Sequence, residues 1–179
     1  MLSLELRPLE AQRAFNLGRW AELLQDRDLA SFEGRIETDR HGHIIMSLPP
    51  APTHGSLQAE IARLLGNLLP QGRVLTECPI STADGVKAAD VAWASPACLS
   101  DLGEQACFPG APEVCVEVIS PGNTEGEIRE KTALYFDAGA REVWLCAQNG
   151  QMSFLRCPDA APLQASERCP QFPNRVQLR

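Results

Sequence analysis

The chain lacks the features that would place it in a membrane or mark it for secretion. No run of apolar residues approaches the ~18 that a membrane helix needs. Residues 1–10 mix charged side chains with leucines and contain no apolar segment of the signal-peptide kind. These absences predict a cytoplasmic protein. The 179 residues, of which 44% are hydrophobic and 22% charged, are typical of one ordinary globular domain.

Closely spaced cysteine pairs are also missing. The seven cysteines include no Cys-x-x-Cys motif, and their odd number does not favour a disulfide framework. A structural zinc site needs such close pairs, so the pattern argues against one. Cys78, Cys115 and Cys146 fall in predicted strands. We expect reduced, buried thiols that behave as small hydrophobic side chains there.

Lysine is scarce, because Lys87 and Lys131 are the only lysines among the 16 basic residues. The net charge of -7 argues against a protein that coats nucleic acid, but not against an enzyme that contacts DNA locally. Glycine-rich phosphate loops of the nucleotide-binding kinds are absent as well. A lysine kept on an apolar surface would supply a more compact charge than the arginines that dominate this chain.

The hydrophobic periodicity predicts a series of helices and strands. Helices are expected over 9–25 and 54–69, a hairpin over 35–46, a second hairpin over 73–82 and 86–94, a connection over 95–112, a strand over 113–119, a helix from Thr124 to Gly139, and strands over 141–146 and 151–156. We expect one domain made of an N-terminal helix and hairpin (1–50), a core (54–156) and a proline-rich tail (157–179).

Two charged residues interrupt apolar surfaces in the middle of this series. Glu117 lies in the strand Val114–Ile119, whose two faces are otherwise apolar. Lys131 lies on the apolar stripe of the next helix, which contains Leu134 and Tyr135. A buried carboxylate must be neutral, paired or bound to a cation. The pair is therefore either a structural ion pair or part of a site with a metal and a lysine.

Asp90 and His54 are two further candidates. Alternation along the second hairpin places Asp90 on one face with Ala88, Ala92 and Ala94. Such small neighbours leave room for a hydrated ion and a phosphate, although they equally suit tight helix packing with Asp90 as a helix cap. His54 begins the apolar stripe of the second helix, where a histidine is either a packing or capping residue or a catalyst.

The element order and these acids resemble the core of PD-(D/E)xK nucleases. Over most of its length the chain also resembles the Uma-two family of putative restriction endonucleases. The matching stretches are 35–37 with Gly42, Pro49-Pro50 with His54, 85–91, 117–121, Lys131 with Tyr135, Ala138-Gly139 and Val143-Trp144. The resemblance implies an α/β (α+β) fold with a mixed central sheet flanked by helices.

The chain departs from the superfamily pattern at two positions. Ala89 stands where the pattern has proline, and Ile119 stands where Glu-x-Lys has its lysine. The resemblance implies that Lys131 replaces this lysine from the following helix. It also implies that Glu37 joins the site from the N-terminal hairpin.

The function implied by the resemblance is endonucleolytic hydrolysis of DNA, or alternatively RNA, with Mg²⁺ or Mn²⁺. Asp90, Glu117 and the main-chain carbonyl of Val118 would hold the metal, and Glu37, Asp90, Glu117 and Lys131 would be catalytic, with His54 peripheral. The expected phosphate contacts are Arg35, Arg40, Lys87 and Arg129. A homodimer is expected, since cutting two strands usually needs two sites. An inactive nucleic-acid-binding module and a metal-dependent hydrolase of small phosphate esters remain alternatives.

Overall fold

The computed structural model describes residues 7–178. Residues 1–6, on which the expectation about a signal peptide partly rests, lie outside this range, as does residue 179. The helices are α1 (Leu9–Leu23), α2 (Pro52–Leu68), α3 (Pro96–Leu102) and α4 (Glu125–Asp137). The strands are β1 (Arg35–Thr38), β2 (Ile44–Ser47), β3 (Arg73–Thr82), β4 (Gly85–Ala94), β5 (Val114–Val118), β6 (Glu142–Cys146) and β7 (Met152–Leu155). In the described part of the chain, no helix is long and apolar enough to cross a membrane.

The core is a mixed five-stranded sheet in the order β3-β4-β5-β6-β7. Strands β5 and β6 are parallel and are joined through α4, whereas the other neighbouring pairs are antiparallel. Strands β1 and β2 form a separate antiparallel hairpin. The predicted α/β class with a mixed central sheet is confirmed.

Helices cover both faces of β5, as the alternation of its residues predicts. Val114, Val116 and Val118 pack in one buried cluster with Leu57 and other residues of α2. On the opposite face, Cys115 packs in a second cluster with Tyr135 of α4. Because both faces are buried, a charged side chain at position 117 needs partners within the protein.

Helix α4, which the sequence predicts from Thr124 onward, begins with a capping box. The hydroxyl of Thr124 accepts a hydrogen bond from the amide of Glu127, and the Glu127 carboxylate accepts one from the amide of Thr124. The helix ends at Asp137, and Gly139 follows with a φ of 111°. These two signals set the register of the helix, which directs Lys131 towards the sheet.

The simple alternation predicted for Asp90 and its alanine neighbours is wrong. Ala89, rather than Ala88, shares a buried cluster with Ala92 and Ala94, so the face of β4 that packs in this cluster changes at Asp90. The neighbouring strand switches at the same level, where Glu77 has a φ of 50°. A non-glycine residue at positive φ bends the strand locally and is seldom found without support from its surroundings.

Several features differ from the prediction. A helix was expected over 9–25, but α1 ends at Leu23, and Leu24 is 63% exposed because it follows the last turn. The predicted connection over 95–112 contains α3, whose start is capped by Ser95. The tail is irregular as predicted, but it also contributes buried core residues, including Phe172 and Val176.

The cysteines behave as the sequence predicts at the three strand positions. Cys78, Cys115 and Cys146 are fully buried, and all seven cysteines, every one of them within residues 7–178, are free thiols. Burial raises the pKa of the Cys146 thiol to about 11 and raises those of Cys78 and Cys115 as well. These thiols are therefore protonated hydrophobic side chains at neutral pH.

Candidate active site

A cleft of about 510 Å³ opens between the β1–β2 hairpin, the start of α2, strands β4 and β5, and α4. Six acidic side chains and three basic ones line it: Glu37, Asp84, Asp90, Glu117, Glu127 and Glu130 against Arg35, Lys87 and Lys131. The cleft therefore has an excess of negative charge. A polyanionic substrate would be repelled there unless cations compensate for that charge.

Lys131 reaches into this cleft from α4 and connects two of the acids. Its Nζ lies 3.1 Å from Oε1 of Glu37 and 3.1 Å from Oε2 of Glu117. It also donates a hydrogen bond of 3.0 Å to the carbonyl of Ala88. Burial lowers the pKa of Lys131, but the charges of Glu117 and Glu37 outweigh this effect and raise it. The ammonium therefore stays charged at neutral pH.

Glu117 lies on β5 between Lys131 and Tyr135. The hydroxyl of Tyr135 donates a hydrogen bond of 2.7 Å to Oε1, while Lys131 binds Oε2. Burial raises the pKa of Glu117, Lys131 lowers it and the charge of Asp90 raises it again, which gives a pKa of about 7. Glu117 is thus the acid whose protonation changes near neutral pH.

Asp90 lies on β4, the neighbouring strand, and is fully buried. Its Oδ2 accepts a hydrogen bond of 2.6 Å from the amide of Val118, and its Oδ1 is in direct contact with the guanidinium of Arg35. Burial raises the pKa of Asp90, but His54, the charge of Arg35 and the amide of Val118 outweigh it and lower the pKa to about 2. Asp90 is therefore ionised throughout the physiological range.

Arg35 is held in place by a second carboxylate, that of Glu77. Its Nε and one terminal nitrogen donate hydrogen bonds of 2.8 and 2.9 Å to the two oxygens of Glu77. Gln58 of α2 also donates to Glu77 and to the carbonyl of Asp90, each at 2.9 Å. A bidentate pair of this kind fixes the plane of the guanidinium as well as its position.

His54 lies at the first turn of α2, beside Asp90. Its Nδ1 lies 3.0 Å from the hydroxyl oxygen of Ser120, and its Nε2 lies 3.2 Å from Oδ1 of Asp90. The approach to Asp90 is too poorly aligned for a hydrogen bond, so Nε2 is buried without a hydrogen-bond partner. The histidine that the sequence left as peripheral is thus in contact with a central acid.

The four basic residues expected to contact phosphates differ in their availability. The ammonium of Lys87 is buried and donates to the carbonyl of Thr38 and to Asp84. Arg40 also pairs with Asp84, although its side chain is 38% exposed. Arg129 is 74% exposed and pairs at the surface with Asp159. Arg35 is mostly buried between Glu77 and Asp90.

The donor groups of the cleft suit a hard divalent cation. Between residues 7 and 178, no three His, Cys, Asp or Glu side chains already stand in a metal-binding arrangement. Asp90 and Glu117 nevertheless offer carboxylate oxygens on adjacent strands, which is the ligand type that Mg²⁺ and Mn²⁺ prefer. The excess of acids in the cleft and the unpartnered Nε2 beside Asp90 indicate that these residues fit a bound cation.

Reasoning from the sequence missed two residues of the site and underestimated the role of a third. The sequence placed Tyr135 only on the apolar stripe of α4, but its hydroxyl donates a hydrogen bond to Glu117. Glu77 and Gln58 were not considered. The register of the β3–β4 hairpin could have revealed Glu77. Thr76 pairs with Val91 and Cys78 pairs with Ala89, which sets Glu77 opposite Asp90. Two acids at such positions repel unless a cation lies between them.

The fold places acids on two neighbouring strands and a lysine on the helix that follows, as the resemblance to the PD-(D/E)xK nuclease core implies. The family model Uma2, described as putative restriction endonuclease, matches residues 20–178, and the chain belongs to this family. A crystal structure of a putative nuclease from Anabaena variabilis shares the fold, with a TM-score of 0.64, 17% identity and coverage of 80% of this chain and 82% of that one. A comparison with curated proteins gave no significant match.

Proposed function

We propose that this protein is a metal-dependent endonuclease that hydrolyses phosphodiester bonds in DNA. The observation that carries the proposal is the convergence of Asp90 from β4, Glu117 from β5 and Lys131 from α4 in one acidic cleft. A structural ion pair needs only one acid and one base. The additional acid Glu37, at 3.1 Å from the same ammonium, gives the cleft more negative charge than its own bases neutralise.

Asp90 and Glu117, with the main-chain carbonyl of Val118, would hold the cation. When bound, Mg²⁺ or Mn²⁺ would activate a water molecule and neutralise the charge that develops on the phosphate. Glu37 is oriented by the amide of Ala88, which donates a hydrogen bond of 2.8 Å to its Oε1. Its position beside Lys131 suits it to accept a proton from the attacking water or to contact a second cation.

Lys131 would supply a fixed positive charge at the reacting phosphate. A preorganised charge in a site with little water stabilises the transition state without reorganising during the reaction. The PD-(D/E)xK superfamily pattern places this lysine at position 119, where the chain has isoleucine. The contact of Lys131 with Glu117 supports a replacement from α4, because it brings an ammonium to the same carboxylate.

The proposal is tested by incubating the chain with supercoiled DNA, single-stranded DNA and RNA in Mg²⁺ or Mn²⁺. We expect nicking or cutting that EDTA stops and that Asp90→Asn or Glu117→Gln abolishes. Arg175→Gln, an exposed residue outside the cleft, is the matched control and should retain activity. Binding without cleavage under every metal would support an inactive nucleic-acid-binding module. Hydrolysis restricted to a small phosphodiester would support a metal-dependent hydrolase of small phosphate esters.

The proposed homodimer is a separate part of this hypothesis. Sedimentation of the protein with and without DNA tests it directly. Nicking by a monomer would contradict the dimer and leave the nuclease proposal intact.

A further inference from the structure

We propose that His54 is a metal ligand in this site and that its imidazole favours Mn²⁺ over Mg²⁺. The inference rests on the proposed function, because it assumes that Asp90 binds the cation. It begins from the buried Nε2 of His54, which has no hydrogen-bond partner and lies 3.2 Å from Oδ1 of Asp90. A buried polar atom without a partner is costly, and each such atom in a folded protein requires an explanation.

Ser120 orients the imidazole from the opposite side of the ring. Its hydroxyl oxygen lies 3.0 Å from Nδ1. In metal sites, a ligating histidine commonly has such a partner on its other ring nitrogen, and this partner fixes the tautomer. When the proton is on Nδ1, Nε2 carries a lone pair and lies 3.2 Å from Oδ1 of Asp90, which is also an acceptor. Two such acceptors repel each other unless a cation lies close to both.

The spacing of the two atoms fits shared coordination. Adjacent donors on an octahedral ion, each at about 2.1 Å from the metal, lie about 3.0 Å apart. The observed separation of 3.2 Å requires little adjustment to reach this value. Arg35 contacts the same oxygen of Asp90, but its bidentate pair with Glu77 would remain if that contact were lost.

An imidazole ligand changes which metal the site prefers. Mg²⁺ demands hard oxygen ligands and gives up its water reluctantly. Transition-metal dications accept nitrogen donors more readily, so a site with His54 and Asp90 discriminates in favour of Mn²⁺. The same site with only oxygen donors would bind the two ions more evenly.

The test uses the full chain, freed of metal with a chelator, and two variants. His54→Asn retains a polar atom near Nδ1 for Ser120 but removes the Nε2 position. His43→Asn alters an exposed histidine that pairs with Asp39 and serves as the matched control for adventitious binding. Mn²⁺ and Mg²⁺ are titrated separately by calorimetry, and thermal melts show whether each variant is folded.

We expect His54→Asn to weaken Mn²⁺ binding by about tenfold or more, as the loss of groups that support a metal site commonly does. Its Mg²⁺ affinity should change by less than about threefold, and His43→Asn should change neither. Pulsed electron paramagnetic resonance of the Mn²⁺-loaded parent should show coupling to an imidazole ¹⁴N nucleus. This second measurement decides the question even if His54→Asn does not fold.

Two results would overturn the inference. Equal losses for both ions in a folded His54→Asn variant would show that His54 acts only by supporting Asp90. Absence of the nitrogen coupling in the parent would show that the imidazole does not bind the ion. A parent that binds neither cation would instead refute the metal dependence of the proposed function itself, whereas a parent that binds both with His54 irrelevant would refute only the role of His54.

Discussion

The ammonium of Lys131 lies 3.1 Å from Oε2 of Glu117, although the two residues belong to different elements and are 14 positions apart. Glu37 contacts the same Nζ from the N-terminal hairpin. One cation thus connects three segments of the chain. Removing the ammonium of Lys131 has different consequences if the lysine is part of a purely structural ion pair than if it is catalytic.

Lys131→Met tests which description is right. Breaking a buried ion pair typically costs about 3–5 kcal/mol, but Glu117 can take up a proton when its partner is removed. We therefore expect the free energy of unfolding to fall by only about 1–3 kcal/mol at pH 7, while cleavage falls at least about 10²-fold, as for loss of a transition-state donor. Urea denaturation and a DNA nicking assay provide the two measurements.

Lys131→Arg is the matched control for that experiment. It keeps the positive charge but replaces the compact ammonium by a planar group with a different hydrogen-bond geometry. We expect it to be closer to the parent in stability than Lys131→Met is, and to remain poorly active. Full destabilisation of Lys131→Met with unchanged cleavage would assign the lysine to structure alone.

Glu77 allows a test of the bent strand beside the site. Its φ of 50° lies in the left-handed region, which costs an L-residue about 1–2 kcal/mol and costs glycine little. Glu77→Ala and Glu77→Gly remove the same carboxylate from Arg35. We expect the glycine variant to be more stable than the alanine variant by about 1 kcal/mol, the reverse of the usual order in a strand.

Equilibrium unfolding in urea measures this difference directly. The matched control is the same pair of substitutions at Thr76, the preceding residue of β3, where no positive φ occurs and alanine should be the better residue. An alanine variant at position 77 that is as stable as the glycine variant would mean that the backbone there is not strained.

Much of this arrangement follows from the sequence, because it depends on local patterns. The periodicity of β5 and α4 and the capping box of Thr124 are enough to direct Glu117 and Lys131 towards each other. The second hairpin is predictable from Asp84-Gly85, and Gly85 has the positive φ of 87° that such a turn requires.

The rest of the site depends on contacts between distant segments, which no local pattern encodes. The bidentate pair joins Arg35 to a residue 42 positions away, and Gln58 reaches the carbonyl of Asp90 across 32 positions. The change of face at Asp90 also could not be read from alternation, because it follows from the backbone of the opposite strand at Glu77. Helix α3 was missed although Ser95-Pro96 is a helix-start signal.

The stability of the metal-free protein should depend on pH through Glu117 and Asp90. The pKa of Glu117 is raised from 4.5 to about 7, so the folded state binds the extra proton between these values and stability falls as pH rises through them. The upper limit of this loss is ~3 kcal/mol. The pKa of Asp90 is lowered from 3.8 to about 2, so its contribution of ~2 kcal/mol is present above pH 3.8 and is lost as pH falls towards 2.

Urea midpoints measured from pH 2 to pH 8 without divalent metal check both pH dependences. Glu117→Gln should flatten the decline between pH 4.5 and 7, and Asp90→Asn should flatten the rise below pH 4. The difference between parent and variant isolates each group from the other acids. Parallel curves for the parent and Glu117→Gln would show that Glu117 titrates alike in the folded and unfolded states.

The last prediction concerns the expected phosphate contacts. Each contact on duplex DNA contributes about -0.9 to the slope of log affinity against log salt, so four contacts give a slope of about -3 to -4. Arg129 and Arg40 are the more exposed of the four, whereas Arg35 and Lys87 are held by internal carboxylates.

Arg129→Gln should therefore weaken binding and make the slope shallower by about one, measured by fluorescence anisotropy with the non-cutting Lys131→Met variant as background. Arg175→Gln should leave the slope unchanged. If Arg129→Gln also leaves the slope unchanged while the protein still binds DNA, DNA approaches the cleft from the side of Arg40. In that case Arg40→Gln should make the slope shallower by about one.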